Sequence, residues 1–498
     1  MVQPLICLIL TGKTLEEDVQ LAKKYEKLVD VVELRVDYLN EEEQLHVRKF
    51  PSMIMQPCIL TIRRTIDGGL FSGGEFSRTQ LFGRALAFAN PDKSKNFAYV
   101  DFEDDYHIPS MQDAAMAFGV RIIRSYHNLK GPVRNLKARC ESMRKTGYEI
   151  PKICFQPKSL SDLVNVFNEG QMMTQYDHIL QTIGPEGQPS RILATFTNSY
   201  LTYVSPEDKI PEEGERGQLD PYTLLNMYNF RKLTKNTQLY GICGWPMKKP
   251  ASPTLINSGF NKNEINSVFV PIRSELISEA LNFAEQTNFK GLSISVPFKE
   301  SVLFYVQDQS PEVMQIGACD TLIRRYDRWF GYNTECIAFE KSLLEFTGPL
   351  RLRRQKVAII GAGGTAKAAA YVLKQHGARV CIFNRSVENG QQLADRYGFD
   401  YCPLNANYVA KLDEYSTLII QTTTVGMNAT GPATSENDPI SFYNFRGNEM
   451  VFDVIYTPSI TPVMKRAAIA GCKTCNGYKM LEYQTYEQFK LFTGQDYN

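Results

Sequence analysis

Apolar runs rich in β-branched and aromatic residues recur through the first half of the chain, at residues 5–10, 31–36, 58–63, 97–103, 121–127, 152–156, 178–183 and 191–197. The segments between them, such as 14–28 and 159–167, read as helices. Eight strands alternating with helices over about 230 residues have the dimension of a (βα)8 barrel. Barrel strands converge on one mouth, so polar residues far apart in sequence become neighbours there. Glu33, Arg35, Arg63, Asp101, Glu103, His127, Lys152 and Arg191 lie at or near these strands. A polar loop, 205–218, follows the eighth run, and a helix over 221–233 closes the unit.

A new strand at 238–244 opens a smaller α/β domain. The run RQKVAIIGAGGTAKAAA, 354–370, then reads as a buried strand, a Gly-rich turn and an Ala-rich helix start. Glycines let the backbone approach a pyrophosphate, and the helix N-terminus stabilises its charge. The expected architecture is α/β: a barrel over 1–233, a substrate domain over 238–349 completed by a C-terminal helix in 477–498, and a Rossmann domain over 350–476.

Composition adds mainly exclusions. With 43% hydrophobic and 22% charged residues among 498, the chain has the make-up of a folded protein with large cores. A net charge of +1 gives no reason to expect nucleic acid or an anionic membrane as partner. No apolar stretch approaches the roughly 20 residues that span a bilayer. The start, MVQPLICLILTGKTLEED, lacks a basic segment and a cleavage site, so a cytoplasmic location is expected. Eleven cysteines show no disulfide framework, Cys472 and Cys475 form a lone CxxC, and the five histidines lack ligand spacing. No metal is expected.

A lysine at the start of the apolar strand IPKICF is unusual, because burying an ammonium is costly. Two readings stay open for Lys152: an edge lysine pointing outward, or a desolvated amine able to attack a ketone and form an imine. His127 likewise reads as a core histidine or as an acid/base, and Arg35, Arg63 and Arg191 suit an anionic, hydroxylated substrate. Together ELRVD (33–37), TIR (61–63) with DGG (67–69), SYH (125–127), PKI (151–153), Ser190-Arg191 and Gly217-Gln218 resemble type I 3-dehydroquinate dehydratase over about 1–232. The resemblance implies an imine on Lys152 and proton transfer by His127, with Asp67 oriented toward that histidine. Arg191 would then grip the substrate carboxylate, while Glu33, Arg35, Arg63 and Gln218 hold hydroxyls. Asp67 replaces the usual glutamate, one methylene shorter, and Gly214 stands where the family loop carries a serine.

Residues 238–498 resemble shikimate dehydrogenase through ordered blocks. These are GICGWP (241–246) with Ser252-Pro253, SVPFK (295–299), Gly317-Ala318 with Thr321-Leu322, GYNT (331–334) and GAGG (361–364). NRS (384–386), TVGM (424–427), DVIY (453–456) and Gly477 with Met480-Leu481 and Gln484 follow. At the end of the second Rossmann strand an acidic residue would favour NAD; Arg385 instead welcomes the extra phosphate of NADP. The resemblance implies an NADP site built from Gly361, Ala362, Gly363, Gly364, Thr365, Ala366, Asn384, Arg385, Ser386, Thr424, Val425, Gly426 and Met427. It implies Lys299 as acid/base with Glu335 as partner, and substrate contacts from Ser252, Ser295, Asp320, Tyr456 and Gln484. Departures cluster in the substrate pocket: Pro250 for a serine, Asp320 for an asparagine, Ser293 and Ser295 for asparagine and threonine, and Glu335 for an aspartate. The leading expectation is a fused enzyme that dehydrates 3-dehydroquinate to 3-dehydroshikimate and reduces that to shikimate with NADPH, with small molecules as its partners. A quinate-type dehydrogenase, or a cofactor-binding module without turnover, stays open for the second half.

Overall fold

The computed structural model describes residues 3–87, 90–209, 217–247, 250–348, 351–429 and 431–498, so Gly214 lies outside the described residues. The chain divides into two compact units, Met1–Phe289 and Lys290–Asn498.

In the first unit, eight parallel strands are ordered 7-6-5-4-3-2-1-8. They are β1 (Leu5–Leu10), β2 (Val31–Arg35), β3 (Cys58–Thr61), β4 (Tyr99–Glu103), β5 (Arg121–Asn128), β6 (Ile150–Phe155), β7 (Ile179–Thr182) and β8 (Leu201–Val204). A bridge between His178 and Ser199 joins the two edges and closes the barrel. Successive strand residues face opposite sides of the sheet, so every second side chain points into the barrel. One buried layer takes Cys7, Val31, Ile59, Tyr99, Ile123, Ile150, Ile179 and Leu201, one residue from each strand. Two residues further along, the next inward layer carries Glu33, Thr61, Asp101, Ser125, Lys152, Gln181 and Tyr203, and the polar chemistry starts there.

The expected strand at 191–197 is not a strand. Residues Gln188–Ile192 form a short helix, and β8 lies at Leu201–Val204. Pro189 sits in the first turn of that helix, where its fixed φ and missing N–H fit. The run is buried whichever element it forms, so its hydrophobicity could not decide. The closing helix expected over 221–233 is instead two short turns, Thr223–Met227 and Phe230–Lys232, split by Asn229 at φ +50. This unit also holds β9 (Gln238–Gly244) and β10 (Ser267–Arg273), paired in parallel, with helix Ser252–Lys262 between them.

The second unit has two sheet regions. In one, β11 (Phe289–Ile294), β13 (Thr321–Arg325), β14 (Arg328–Tyr332) and β12 (Asp308–Gln309) are neighbours in that order. The other is parallel, with strand order 17-16-15-18-19-20: β15 (Lys356–Ile360), β16 (Arg379–Asn384), β17 (Asp400–Pro403), β18 (Leu418–Gln421), β19 (Met450–Asp453) and β20 (Lys473–Cys475). Val357, Ile359, Ile382, Leu418 and Ile420 pack on Ala366, Ala369 and Ala370 of helix Gly364–Gln375. Alternate residues Ala358, Ile360, Cys381 and Phe383 are buried on the other face, as a parallel sheet covered on both sides requires. Among the described residues no helix is long and apolar enough to cross a membrane.

Candidate active sites

Lys152 is the third residue of β6 and is buried, which removes the reading as an outward edge lysine. Its Nζ donates to Asp101 Oδ2 at 2.9 Å and lies 3.7 Å from Glu33 Oε1, over the Tyr203 ring at 4.4 Å. Arg63 sits above the same two carboxylates, 3.5 Å from Glu33 and 3.8 Å from Asp101. Thr61 Oγ1 donates to Glu33 at 2.8 Å. Burial works to raise the Asp101 carboxyl, but Lys152 and then Arg63 outweigh it and hold it below the ordinary range. Asp101 was legible only as a polar strand residue; its position two residues after Tyr99 on β4 is what places it beside the lysine.

His127 follows on β5, two residues beyond Ser125, the register partner of Lys152. Burial, and then the positive charges of Arg63, Lys152 and Arg35, hold its imidazole well below the usual value, so it is neutral and can accept a proton. Its Nδ1 is buried without a hydrogen-bond partner. Asp67 is turned to Arg64, whose Nε donates to it at 2.7 Å. Arg35 forms a bidentate pair with Asp37 at 2.9 and 2.7 Å. Arg191 comes from helix Gln188–Ile192, donating to Gln181 Oε1 at 3.1 Å, while its Nε is buried without a partner. Gln218 accepts from Ser205 Oγ at 2.9 Å. Lys152, Arg63 and Arg35 meet the carboxylates of Glu33, Asp101 and Asp37, whereas Arg191 faces no carboxylate among the described residues.

The second site is in the second unit. Lys299 Nζ donates to Glu335 Oε1 at 2.5 Å, and Thr365 Oγ1 donates to the same oxygen at 3.1 Å. Glu335 Oε2 is buried without a partner. Glu335 lies in the first turn of helix Thr334–Thr347, where the free N–H groups favour a carboxylate. Asp320 completes that end. Its Oδ1 accepts from the hydroxyls of Thr321 and Thr334, both at 2.6 Å, and from Thr334 N at 3.0 Å. Its Oδ2 accepts from Glu335 N at 2.8 Å. Asp320 is therefore turned onto the helix end and wholly buried. Burial first, and then the Glu335 charge, raise its carboxyl above the ordinary value.

Gln488, one helical turn beyond Gln484, was missed from the sequence. Buried in helix Tyr478–Thr493, it donates to Ser293 Oγ at 3.0 Å and to Thr321 Oγ1 at 2.9 Å. The signal lay in a polar residue on the helix face that also carries Leu481, Thr485 and Phe492. Gln484, Ser295 and Tyr456 are half-buried, whereas Ser252 is buried in the first unit.

The residues around the Gly-rich turn fit a dinucleotide. Gly361 has φ +112, and a Cβ there would lie 2.6 Å from Thr422 Oγ1. At Gly363, the N-cap of helix Gly364–Gln375, a Cβ would meet nothing within 4 Å, so space is open before the helix N-terminus. A Cβ on Gly364 would lie 3.1 Å from Lys299 Cδ, which brings the lysine stem against the start of that helix. Asn384 is half-buried, its Nδ2 donating to Ser386 O at 2.8 Å, and Arg385 and Ser386 are exposed. Gln421 braces the 424–427 loop through Thr423 O and Val425 O, both at 3.1 Å. Among the described residues no cluster could hold a metal ion.

Family models place these sites in context. Residues 6–235 match the type I 3-dehydroquinase model. Residues 242–322 match the shikimate dehydrogenase substrate binding domain, and 343–430 match shikimate/quinate 5-dehydrogenase. A bifunctional 3-dehydroquinate dehydratase/shikimate dehydrogenase of Arabidopsis thaliana is 30% identical over 98% of this chain and 82% of its own length. The shikimate biosynthesis protein AroDE of Chlamydia pneumoniae is 25% identical over 98% and 95%. A shikimate dehydrogenase (NADP(+)) of Thermococcus kodakarensis is 32% identical over 52% of this chain and 92% of its own. With both constellations in place and a relative that similar spanning nearly all of it, the chain belongs to the family of bifunctional 3-dehydroquinate dehydratase/shikimate dehydrogenases.

Proposed function

We propose that the barrel dehydrates 3-dehydroquinate to 3-dehydroshikimate through an imine on Lys152, and that the second half reduces 3-dehydroshikimate to shikimate with NADPH. The burial of Lys152 among Asp101, Glu33 and Tyr203, beneath a neutral His127, carries the first assignment. Lys152 Nζ, after passing a proton to His127, attacks the ketone carbon; the resulting hydroxyl leaves as water with that proton, and a protonated C=N bond forms. His127 removes a proton from the adjacent carbon, and the electron pair moves onto the imine nitrogen, a better sink than the ketone oxygen. The pair returns to expel the β-hydroxyl, which leaves as water with the proton His127 gives back. A second water hydrolyses the imine and frees Lys152. Arg191 holds the substrate carboxylate, and Glu33, Arg35, Arg63 and Gln218 hold hydroxyls. Asp67, paired with Arg64, acts on the loop rather than on the imidazole.

In the second half, NADPH supplies the hydride when bound. The turn at 361–366, the helix N-terminus behind it and Arg385 would hold it, with 424–427 on the other side. Lys299 gives a proton to the oxygen of the reduced ketone, and Glu335 orients Lys299. The Glu335 Oε2 acceptor faces no protein donor, which suits a substrate hydroxyl. Ser295, Tyr456 and Gln484 complete the substrate contacts. The domain division proposed is 1–233, 238–349 with 477–498, and 350–476. The cytoplasm is the proposed location, on eleven free cysteines.

Lys152→Ala is expected to lose the borohydride-trapped adduct with 3-dehydroquinate while shikimate oxidation continues. Surviving covalent trapping would overturn the imine. Lys299→Ala is expected to stop shikimate oxidation alone, and loss of both activities would overturn the assignment of one reaction to each half.

A further inference from the structure

We propose that Arg273 is a positioning residue for the dehydratase reaction, although it belongs to the residues that match the dehydrogenase. It ends β10, within the 242–322 match, and lies in the same compact unit as the barrel. The side chain is buried, and its Nη1 donates to Pro185 O at 3.2 Å and to Gln188 Oε1 at 3.0 Å. Its Nε donates to Met247 O at 2.7 Å. One planar guanidinium therefore ties the turn after β9 to the turn after β7.

The turn after β7 leads directly into the helix that presents Arg191. Gln188 is the first residue of that helix, and Arg191 is three residues on. The same turn also backs the Gln218 segment: Gly217 sits at φ +64, and a Cβ there would lie 2.0 Å from Gly184 O. The stretch 184–188 thus meets both Arg273 and Gly217. Two groups assigned to substrate binding adjoin it: Arg191 follows in the helix that Gln188 begins, and Gln218 is the next residue after Gly217. Within the barrel, Thr182 Oγ1 and Ser190 Oγ both donate to Gly187 O, at 3.0 and 2.9 Å, and Thr202 Oγ1 donates to Arg191 O at 3.0 Å, which holds the inner side of the helix to β7 and β8. Arg273 supplies the outer tie. An arginine that sets the tilt of the Arg191 helix changes how well the carboxylate is held in ground state and transition state alike, which appears in KM rather than kcat.

The inference rests on the reading of Arg191 as the carboxylate contact, and the test separates the two. Dehydratase kinetics with 3-dehydroquinate would be measured on the full-length chain and on Arg273→Ala, Arg273→Lys, Gln188→Leu and Arg191→Ala. Shikimate oxidation in the same preparations reports on the other half. Loss of the hydrogen bonds to one turn is expected to raise KM roughly tenfold in Arg273→Ala with kcat within about twofold. Gln188→Leu, which leaves the Met247 tie in place, is expected to raise KM about threefold with shikimate oxidation at its parental rate. Arg273→Lys is expected to recover part of the loss. If Arg191→Ala raises KM while Arg273→Ala and Gln188→Leu do not, the positioning role is refuted and the Arg191 reading stands. Parental KM in Arg191→Ala overturns both. If Arg273→Ala fails to fold, Gln188→Leu decides alone: a parental KM refutes the role, and a raised KM at parental kcat supports it.

Discussion

Lys152→Met removes the ammonium from between two buried carboxylates while keeping a side chain of similar length. In the parent, Nζ lies 2.9 Å from Asp101 and 3.7 Å from Glu33, whose side chains are 2% and 1% exposed. Arg63 remains after the substitution, 3.5 Å from Glu33 and 3.8 Å from Asp101. Two cations facing two carboxylates become one cation facing two. Leaving one buried charge without its partner costs about 3–5 kcal/mol, so the barrel is destabilised at neutral pH by that order. The penalty is limited by proton uptake, which fixes its pH dependence. In the parent, burial pushes the Asp101 carboxyl up but Lys152 and Arg63 hold it below its ordinary value. That contribution is present above the unfolded-chain value and is lost as the pH falls through the folded one. In the variant burial loses its main opponent and the carboxyl moves upward, so the folded state binds the proton more tightly than the unfolded chain. The gap between variant and parent then widens as the pH rises, by up to about 1.4 kcal/mol per unit for one proton. Urea midpoints between about pH 5 and about pH 8 would measure the slope, with deuterium exchange of the β6 peptide as the local probe. Trp245 and Trp329, the two tryptophans, both lie outside the barrel and would not report it. A difference that is flat across that range, or a variant as stable as its parent at about pH 8, would refute the reasoning.

Three further outcomes are expected. Glu335→Gln keeps the size of the side chain but removes the charge that orients Lys299, so shikimate oxidation should fall roughly 10²-fold with dehydration unchanged. Equal losses in both activities would contradict it. Gly361→Ala places a Cβ 2.6 Å from Thr422 Oγ1 at a φ of +112, so the KM for NADPH should rise while 3-dehydroquinate turnover is untouched; an unaltered KM for NADPH would contradict the assigned turn. Because His127 is held well below 6.5, dehydratase kcat should stay level from about pH 8 down to about pH 6.5 rather than fall as the imidazole protonates. A pH–rate profile dropping with a midpoint near the ordinary histidine value would show the base to be more exposed than its surroundings imply.

Where one feature dominated, the sequence was readable. The strand–glycine–alanine run at 354–370 admits few other folds, and the lysine at 152 stands out against apolar neighbours, whereas Lys299 was legible only through the resemblance. The barrel was legible from seven of its strands. Its eighth was misplaced because 191–197 and 201–204 are similarly apolar and both end up buried; the helix Gln188–Ile192, with Pro189 in its first turn, takes the start of the first run and turns follow it. Hydrophobicity registers burial, whereas that choice was a backbone matter. Asp101 is a different case, since strand position gives the face of a residue only once the register of all eight strands is known. Asp320 shows a third limit: as one letter it read as an anion in an anion's pocket, but its carboxylate meets two hydroxyls and two backbone N–H groups and points away from that task. Gln488 was overlooked for Gln484 because the motif ends one turn short of the residue that makes the contacts.

Asp320 and Glu335 also bear on how such a sequence can change over generations. Asparagine at 320 would offer one accepting oxygen and one N–H2 to a shell that is entirely donors, so either Glu335 N or the Thr334 and Thr321 groups would lose an acceptor. Aspartate at 335 would draw the carboxylate back by one carbon from a lysine now 2.5 Å away. Asp320 and Glu335 also meet at one helix end, where the Glu335 charge helps burial to raise the Asp320 carboxyl. Positions 320 and 335 are therefore not independent, and changing both carboxylates together is expected to differ from the sum of the two single changes.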